Sequence, residues 1–280
     1  MLIIFLAVLA LVWIIFAVVS DLRTKEIPNW LSFSLIIFAL GIRLFYSIFN
    51  DMNFSFFIQG VFGLAVFFVL ANLLYYVKFF AGGDAKLMIA LGPILPFSTG
   101  FLSNTNLFST FFFIFLMTGA AYGLIMVFRL SIKRFSKIKR EFSKQIKLNK
   151  KKIIISLIFG IILMLSGYWY SSLFIFGIWI FLMPYLLIYA KSVDECCMVE
   201  RIQTSKLTEG DWLYGDIKSG RDVVKAKWEG LSMKEIKLLR KRHRFVTIRT
   251  GIQFSPVFLI SFLIYAYLFL AEVDLWNSLW

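Results

Sequence analysis

The sequence is poor in the residues that most metal and hydrolase sites use. It has one histidine, His243, and two cysteines, Cys196 and Cys197, which are adjacent. One histidine cannot supply both ligands of a His-Glu-x-x-His zinc site, and neighbouring cysteines have neither the spacing of a four-ligand zinc site nor that of a disulfide framework. His243 stands in the basic run 241–244, where positive charge disfavours a protonated base in a Ser–His pair. A Walker motif is also absent, so acidic residues are left as candidates for catalysis.

Charged residues are scarce as well. They make up 16% of the 280 residues, whereas 60% are hydrophobic, 33 are Phe, and the mean hydropathy is +0.82. A soluble domain has about 25% charged residues, and a chain of this length cannot bury so much apolar surface in a core of its own. The composition therefore predicts an integral membrane protein. The net charge of +14 fits the positive-inside bias of membrane loops, and we expect no nucleic-acid partner.

Six apolar stretches have the length of roughly 20 residues that a membrane-spanning helix needs. They are residues 2–19, 30–49, 56–77, 107–128, 172–190 and 252–271. Two shorter apolar runs follow the same pattern, residues 86–97, which Pro93 and Pro96 interrupt, and residues 153–166. We predict an all-α polytopic membrane protein with about six to eight transmembrane helices and a small α+β cytoplasmic module.

The distribution of basic residues predicts the orientation. With the N-terminus outside, 29 of the 30 Lys and Arg residues fall into the predicted cytoplasmic segments, which are residues 20–29, 78–86, 129–152 and 191–249. Arg43, near the outer end of the second span, is the exception. The predicted outer segments carry the acids Asp51, Glu272 and Asp274 and no bases. We therefore expect a multi-pass plasma-membrane protein whose first apolar run is a retained span, because no basic residue precedes it.

These patterns divide the chain into five parts. They are a transmembrane core (1–128), a basic cytoplasmic segment (129–152), a transmembrane hairpin (153–190), a cytoplasmic soluble module (191–249), and a last transmembrane helix with an outer tail (250–280). The basic segment holds 11 bases and one acid, Glu141, and its apolar residues recur every three or four positions. This pattern predicts an amphipathic helix on anionic headgroups, with binding of a substrate or partner as the alternative.

The soluble module shows local signals for both strands and a helix. Residues 198–203 and 212–217 are predicted as strand-like pieces between short turns. Ser232 and Glu235 form a capping-box pattern, with Leu231 and Ile236 placed to pack across it. We predict a helix that starts there and continues through the basic tract 237–244 back to the membrane.

Two acids stand at the ends of apolar runs, where an ionisable side chain is costly and indicates function. Asp21 closes the first run and Asp84 opens the short fourth one, both on the predicted cytoplasmic side. Two close carboxyl groups that share a proton are the requirement of aspartic proteolysis, and Gly82 and Gly83 would let a peptide approach the backbone. The alternatives are that Asp84 is a helix N-cap and that Asp21 is an interfacial charge paired with Arg23.

Around these acids the sequence resembles the prepilin-peptidase family of membrane aspartic proteases, most closely the archaeal branch that processes preflagellins and type IV pilin-like precursors. The segments that carry the resemblance are residues 20–31 (SDLRTKEIPNWL), 82–88 (GGDAKLM) with Gly92, 207–213 (LTEGDWL), 230–236 (GLSMKEI) and 251–256 (GIQFSP). One departure is Ala81, which stands where the family pattern Gly-x-Gly-Asp has its first glycine.

The resemblance implies that Asp21 and Asp84 are the two catalytic aspartates and that no metal or other cofactor takes part. It also implies precursor pilins or flagellins as substrates, cleaved at the cytoplasmic membrane face between a leader and a hydrophobic helix. Lys86 is expected to anchor the helix end by extending toward the interface, or to lower the pKa of an aspartate.

Two other interpretations remain open at this point. One is an intramembrane protease of the signal-peptide-peptidase or presenilin type, although the Tyr-Asp dipeptide usual in those proteins does not occur here. The other is a non-enzymatic membrane scaffold of an appendage or secretion machine, in which the basic segment and the soluble module bind partners.

Overall fold

The chain is organised as two compact units. The computed structural model describes residues 2–49, 54–98, 100–168, 171–219 and 222–271. Unit 1 consists of Met1–Gly123 and Gln253–Trp280, and unit 2 of Leu124–Ile252. The five-part division of the chain stays a prediction. The predicted outer acids Asp51, Glu272 and Asp274 lie outside the described residues.

Helices dominate the described part of the chain. Their bounds are α1 Leu2–Thr24, α2 Asn29–Phe49, α3 Ser55–Tyr76, α4 Gly82–Leu91, α5 Phe101–Lys133, α6 Phe135–Leu148, α7 Lys150–Ser166, α8 Ser171–Val193, α9 Met233–Arg242 and α10 Ser255–Leu270.

Five helices among the described residues are long and apolar enough to cross a membrane, namely α1, α2, α3, α5 and α8. They correspond to five of the six long spans that the sequence predicts. The sixth predicted span forms α10, which has 16 residues, and the shorter run 153–166 forms most of α7, which has 17. The predicted fold class is confirmed: the protein is a helical, multi-pass membrane protein with a small module that contains strands.

The short fourth apolar run does not cross a membrane as a continuous helix. Helix α4 begins at Gly82 and ends at Leu91 after 10 residues. Pro93 and Pro96 follow it, and neither can donate the backbone hydrogen bond that would continue a helix. The remainder of the run, through Phe97, is buried in irregular structure.

The carbonyl groups after α4 are satisfied by Arg43. This side chain is fully buried, and its Nε donates to the carbonyl of Pro93 at 2.7 Å. Its two terminal nitrogens donate to the carbonyls of Phe56 at 3.0 Å, Pro96 at 2.6 Å and Ile94 at 3.4 Å. Arg43 therefore holds the segment after α4 against α2 and the start of α3. Arg43 lies outside the predicted cytoplasmic segments, and these hydrogen bonds give it a structural role there that the sequence did not reveal.

An aromatic cluster joins the start of α10 to the segment before α4. The rings of Phe80 and Phe254 have centroids 6.2 Å apart, and Phe115 of α5 lies 5.7 Å from each of them. Beside the cluster, the Tyr122 hydroxyl donates to the Gln253 carbonyl at 3.0 Å. The two chain segments of unit 1 are thus fastened together where the second one begins.

In unit 2, helices α7 and α8 form a tightly packed hairpin. Gly160 and Gly177 face each other across it, and a Cβ on Gly177 would lie 2.9 Å from the Gly160 carbonyl oxygen. Helix α6 is amphipathic as predicted, with Ile138 buried and the basic side chains Lys139, Arg140 and Lys144 exposed.

Two small antiparallel sheets lie in the described part of the module. The strands are β1 Val199–Gln203, β2 Trp212–Leu213, β3 Ile217–Ser219, β4 Asp222–Val224 and β5 Phe245–Arg249. The larger sheet has the order β1-β5-β2, with Val199 opposite Arg249 and Leu213 opposite Ile248, and β3 pairs with β4. The predicted piece 212–217 is divided between β2 and β3.

Helix α9 confirms one prediction and contradicts another. The Ser232 hydroxyl accepts the Glu235 N–H and the Glu235 carboxylate accepts the Ser232 N–H, as in a capping box. The helix ends at Arg242, however, and the chain returns as β5 instead of continuing as a helix. The physical reason is that Val246 and Ile248 alternate with more exposed residues, which suits a half-buried strand over the module core.

Candidate active site

Asp21 lies in the last turn of α1 and is buried. The helix ends at Thr24, because Lys25 adopts a left-handed backbone with φ of 60°. The Lys25 N–H donates to the Asp21 carbonyl at 2.8 Å. Ser20 Oγ then donates to the Glu26 carbonyl at 2.9 Å. These bonds fix a short turn that leads into α2 at Asn29.

Asp84 lies in the first turn of α4. Ala81 is the N-cap, with an extended backbone at φ −74° and ψ 164° that any residue can adopt. The departure from the family's glycine therefore causes no strain. Asp84 is the third residue of the helix, and its carboxylate accepts the Ala81 N–H. The alternative that Asp84 is an N-cap is wrong.

Gly82 and Gly83 are the first two residues of α4, and neither needs a left-handed backbone. A Cβ on Gly82 would meet no atom within 4 Å. A Cβ on Gly83 would lie 3.4 Å from the Ile27 side chain, which is ordinary contact. The space in front of Gly82 is therefore open in the free protein.

The Asp21 carboxylate acts on the carboxyl group of Asp84. Asp84 stands on helix α4, which is not among the five candidate spans. The pKa of Asp84 is raised from an ordinary 3.8 to about 7. Burial is the larger cause and the neighbouring Asp21 carboxylate the second, while the hydrogen bond from Ala81 opposes them. No ion pair joins Asp21 to Arg23 among the described residues, contrary to the alternative interpretation of Asp21.

A hydrogen bond that the sequence did not predict joins the chain after α1 to the start of α4. Lys86 Nζ donates to Asn29 Oδ1 at 2.7 Å, across 57 positions of the chain. The only signal for it was that both residues stand inside the family-like segments. Lys86 therefore binds a neutral amide, and the expectation that it extends toward the membrane interface stays a prediction.

The remaining polar candidates lie in unit 2. Cys196 and Cys197 belong to a short π-helical turn, Asp194–Met198, and His243 Nε2 lies 3.1 Å from the Lys218 carbonyl oxygen. Within the described ranges, no group of three or more His, Cys, Asp and Glu side chains is placed to hold a metal ion.

The protein is thus a multi-pass membrane protein in which one acid at the end of α1 acts on another at the start of α4. Residues 8–127 match the sequence model of the type IV leader peptidase family. The matched part includes both helix ends, and the resemblance to the prepilin-peptidase family is confirmed for it.

The chain is also similar to a protein named preflagellin peptidase from Methanococcus maripaludis. The two are 27% identical over 122 residues, which are 41% of this chain and 52% of the relative. The chain thus spans about half the length of the curated relative that it matches. No solved structure matches the chain.

Proposed function

We propose that this protein is an aspartic endopeptidase that removes the leader of preflagellin or type IV prepilin-like precursors. The observation that carries the proposal is the pair of Asp21, at the end of α1, and Asp84, at the start of α4, whose carboxyl groups interact. The family match over residues 8–127 and the name of the preflagellin peptidase relative support the reaction and the substrate class.

The mechanism follows from a pair that holds one proton. We assign that proton to Asp84, because its pKa is raised to about 7, and the role of the base to Asp21. The Asp21 carboxylate takes a proton from a water molecule, which attacks the scissile carbonyl carbon while the Asp84 carboxyl donates a hydrogen bond to the carbonyl oxygen. Collapse of the tetrahedral intermediate breaks the C–N bond, the proton that Asp21 took from water passes to the leaving amine, and the pair again holds one proton on Asp84. Open space at Gly82 suits an extended peptide beside the pair.

The charge bias supports an orientation with the N-terminus outside and the carboxyl pair at the cytoplasmic face. A precursor with its leader in the cytoplasm and its hydrophobic helix in the bilayer could then be cut without leaving the membrane. The exposed bases of α6, which include Lys139, Arg140 and Lys144, fit anionic lipid headgroups at the same face.

A cleavage assay in membranes tests the proposal. Tagged preflagellin and type IV prepilin are incubated with the wild type, Asp21→Asn, Asp84→Asn and Glu26→Gln. Glu26 is a matched control, because it is an exposed acid on the same turn as Asp21. We expect cleavage by the wild type and Glu26→Gln and none by the two Asn variants at equal membrane levels. Wild-type cleavage by both Asn variants would refute the aspartic mechanism, and no cleavage by the wild type would refute the substrate class.

A further inference from the structure

The separation of Asp21 and Asp84 has to be set by contacts between two distant chain segments. Each carboxyl group stands on its own helix end, and helical geometry alone fixes neither relative to the other. Proton sharing requires the two groups to stay about 3 Å apart during catalysis. We therefore expect the contacts that join the segment after α1 to the first turn of α4 to influence catalysis.

Two such contacts are present, and both involve the segment of Ile27, Pro28 and Asn29. The buried Ile27 side chain faces Gly83, the residue before Asp84, at a distance where a Cβ on Gly83 would touch it at 3.4 Å. Asn29 Oδ1 accepts a hydrogen bond from Lys86 Nζ at 2.7 Å, two residues after Asp84. Asp84 is thus bracketed by contacts to the chain that follows Asp21.

The partner of Lys86 is chemically informative. Lys86 stands two positions after Asp84, yet no ion pair joins it to Asp21 or Asp84 in the described part of the chain. An ion pair would lower the pKa of the aspartate and expel the shared proton at neutral pH. A neutral amide oxygen can accept a hydrogen bond from the ammonium without lowering the pKa of an aspartate.

We infer that Asn29 and Lys86 form a positioning clamp, in which Asn29 holds the Lys86 ammonium away from the carboxyl pair and ties α4 to the end of α1. The inference rests on the proposed function of Asp21 and Asp84. It goes beyond that function because it assigns positioning roles to two residues other than the two aspartates.

The other charged groups near the pair are few. Arg23, Lys25 and Glu26 lie at the end of α1 or just after it, and Lys78 follows α3. The described parts of α5 and α10 within unit 1 carry no charged side chain. Arg43 of α2 is engaged by backbone carbonyls. Asp21 is the charged group that acts on Asp84, so a freed Lys86 would be a new influence on the pair.

The clamp predicts different consequences for its two members. Asn29→Ala frees the ammonium, which then pairs with an aspartate, so the upper pH limit of cleavage moves down by about one pH unit and kcat at neutral pH falls about tenfold. Lys86→Met removes the tie and the charge together, so kcat falls but the pH limit stays. The double variant therefore regains the wild-type pH limit, and Lys86→Arg, which can still donate to Asn29, keeps most of the activity.

The experiment measures kcat and KM against pH for these four variants and the wild type in the preflagellin assay. Asn72→Ala and Lys25→Met are the matched controls, because the Asn72 amide donates within α3 and Lys25 is an exposed lysine in the same turn as Asn29. Restoration of the pH limit in the double variant supports the clamp. Wild-type kcat and pH limits in both single variants would overturn it, as would equal pH limits for Asn29→Ala and the double variant.

A second measurement does not need cleavage. Thermal stability of the membrane protein is recorded against pH, and the step that Asp84→Asn abolishes is followed in each variant. Asn29→Ala is expected to move this step to lower pH, and Lys86→Met on that background is expected to move it back. An unmoved step overturns the inference. If the wild type cleaves no precursor, the proposed function fails while this titration still decides the clamp.

Discussion

Gly92 and Gly63 bring α4 and α3 into backbone contact. A Cβ on Gly92 would lie 2.7 Å from the carbonyl oxygen of Gly63 and 2.9 Å from the Cα of Leu64. The atoms that would have to move are backbone atoms, which cannot give way as a flexible side chain can. This contact fixes the far end of the helix that carries Asp84.

Replacing Gly92 by Ala should therefore destabilise the protein by about 1–3 kcal/mol, because the new methyl group forces α3 and α4 apart. Thermal unfolding in detergent measures the effect. Gly41→Ala is the matched control in a neighbouring helix, since a Cβ there would meet no atom within 4 Å. A Gly92→Ala variant as stable as Gly41→Ala would contradict the close packing.

Stability should fall as the pH rises toward neutrality through Asp84. Its pKa is raised from 3.8 to about 7 in the folded protein, so between these values the folded state keeps a proton that the unfolded state has lost. The stabilisation is complete below the unfolded pKa and is lost by about pH 7. Asp84→Asn should remove this dependence and be more stable than the wild type at pH 8, as thermal unfolding at pH 5 and pH 8 would measure. An unchanged pH dependence would mean that the proton resides elsewhere.

Arg43→Lys should be destabilising by about 3 kcal/mol or more, because one ammonium group cannot replace a planar fork that serves four buried carbonyls. The loss should appear in thermal unfolding and as weaker cleavage, since the segment after α4 loosens. Arg140→Lys on the exposed surface of α6 is the control. Equal stability of the two variants would refute the structural role of Arg43.

Ser232→Ala should loosen α9 by about 1 kcal/mol, because it removes the hydroxyl that caps the Glu235 N–H. Hydrogen exchange of the α9 amides is the direct measurement. Ser143→Ala is the control, because Ser143 is exposed on α6 and its loss should leave hydrogen exchange in α9 unchanged. The same protection in wild type and Ser232→Ala would show that the cap contributes nothing.

The parts of the fold that the sequence predicted are those with a continuous local signal. Five long apolar runs became α1, α2, α3, α5 and α8, because a spanning helix needs little beyond length and hydropathy. Asp21 and Asp84 were identifiable because acids are rare at the ends of such runs. The capping box of α9 was also readable, since its two members stand three residues apart.

What the sequence could not predict depends on contacts between distant positions. Three of the four carbonyl partners of Arg43 lie 50 to 53 positions away, and Asn29 and Lys86 are 57 apart. The strand β5 was misjudged for a related reason. Two residues separate it from the end of a basic helix, and the alternation of its five residues indicates a strand only when β1 and β2 pair on either side.

The hydrogen bond between Tyr122 and the Gln253 carbonyl has a consequence for how the chain is assembled. It closes unit 1 between the points where the chain departs at Gly123 and returns at Gln253. Unit 2 is in this sense an insertion whose two attachment points are neighbours, a geometry that tolerates large changes in what is inserted. A short flexible linker between residues 123 and 253 should accordingly satisfy the connectivity of unit 1. Unit 1 would then be a discontinuous domain, and the inserted unit would be free to vary in length and content without moving either aspartate.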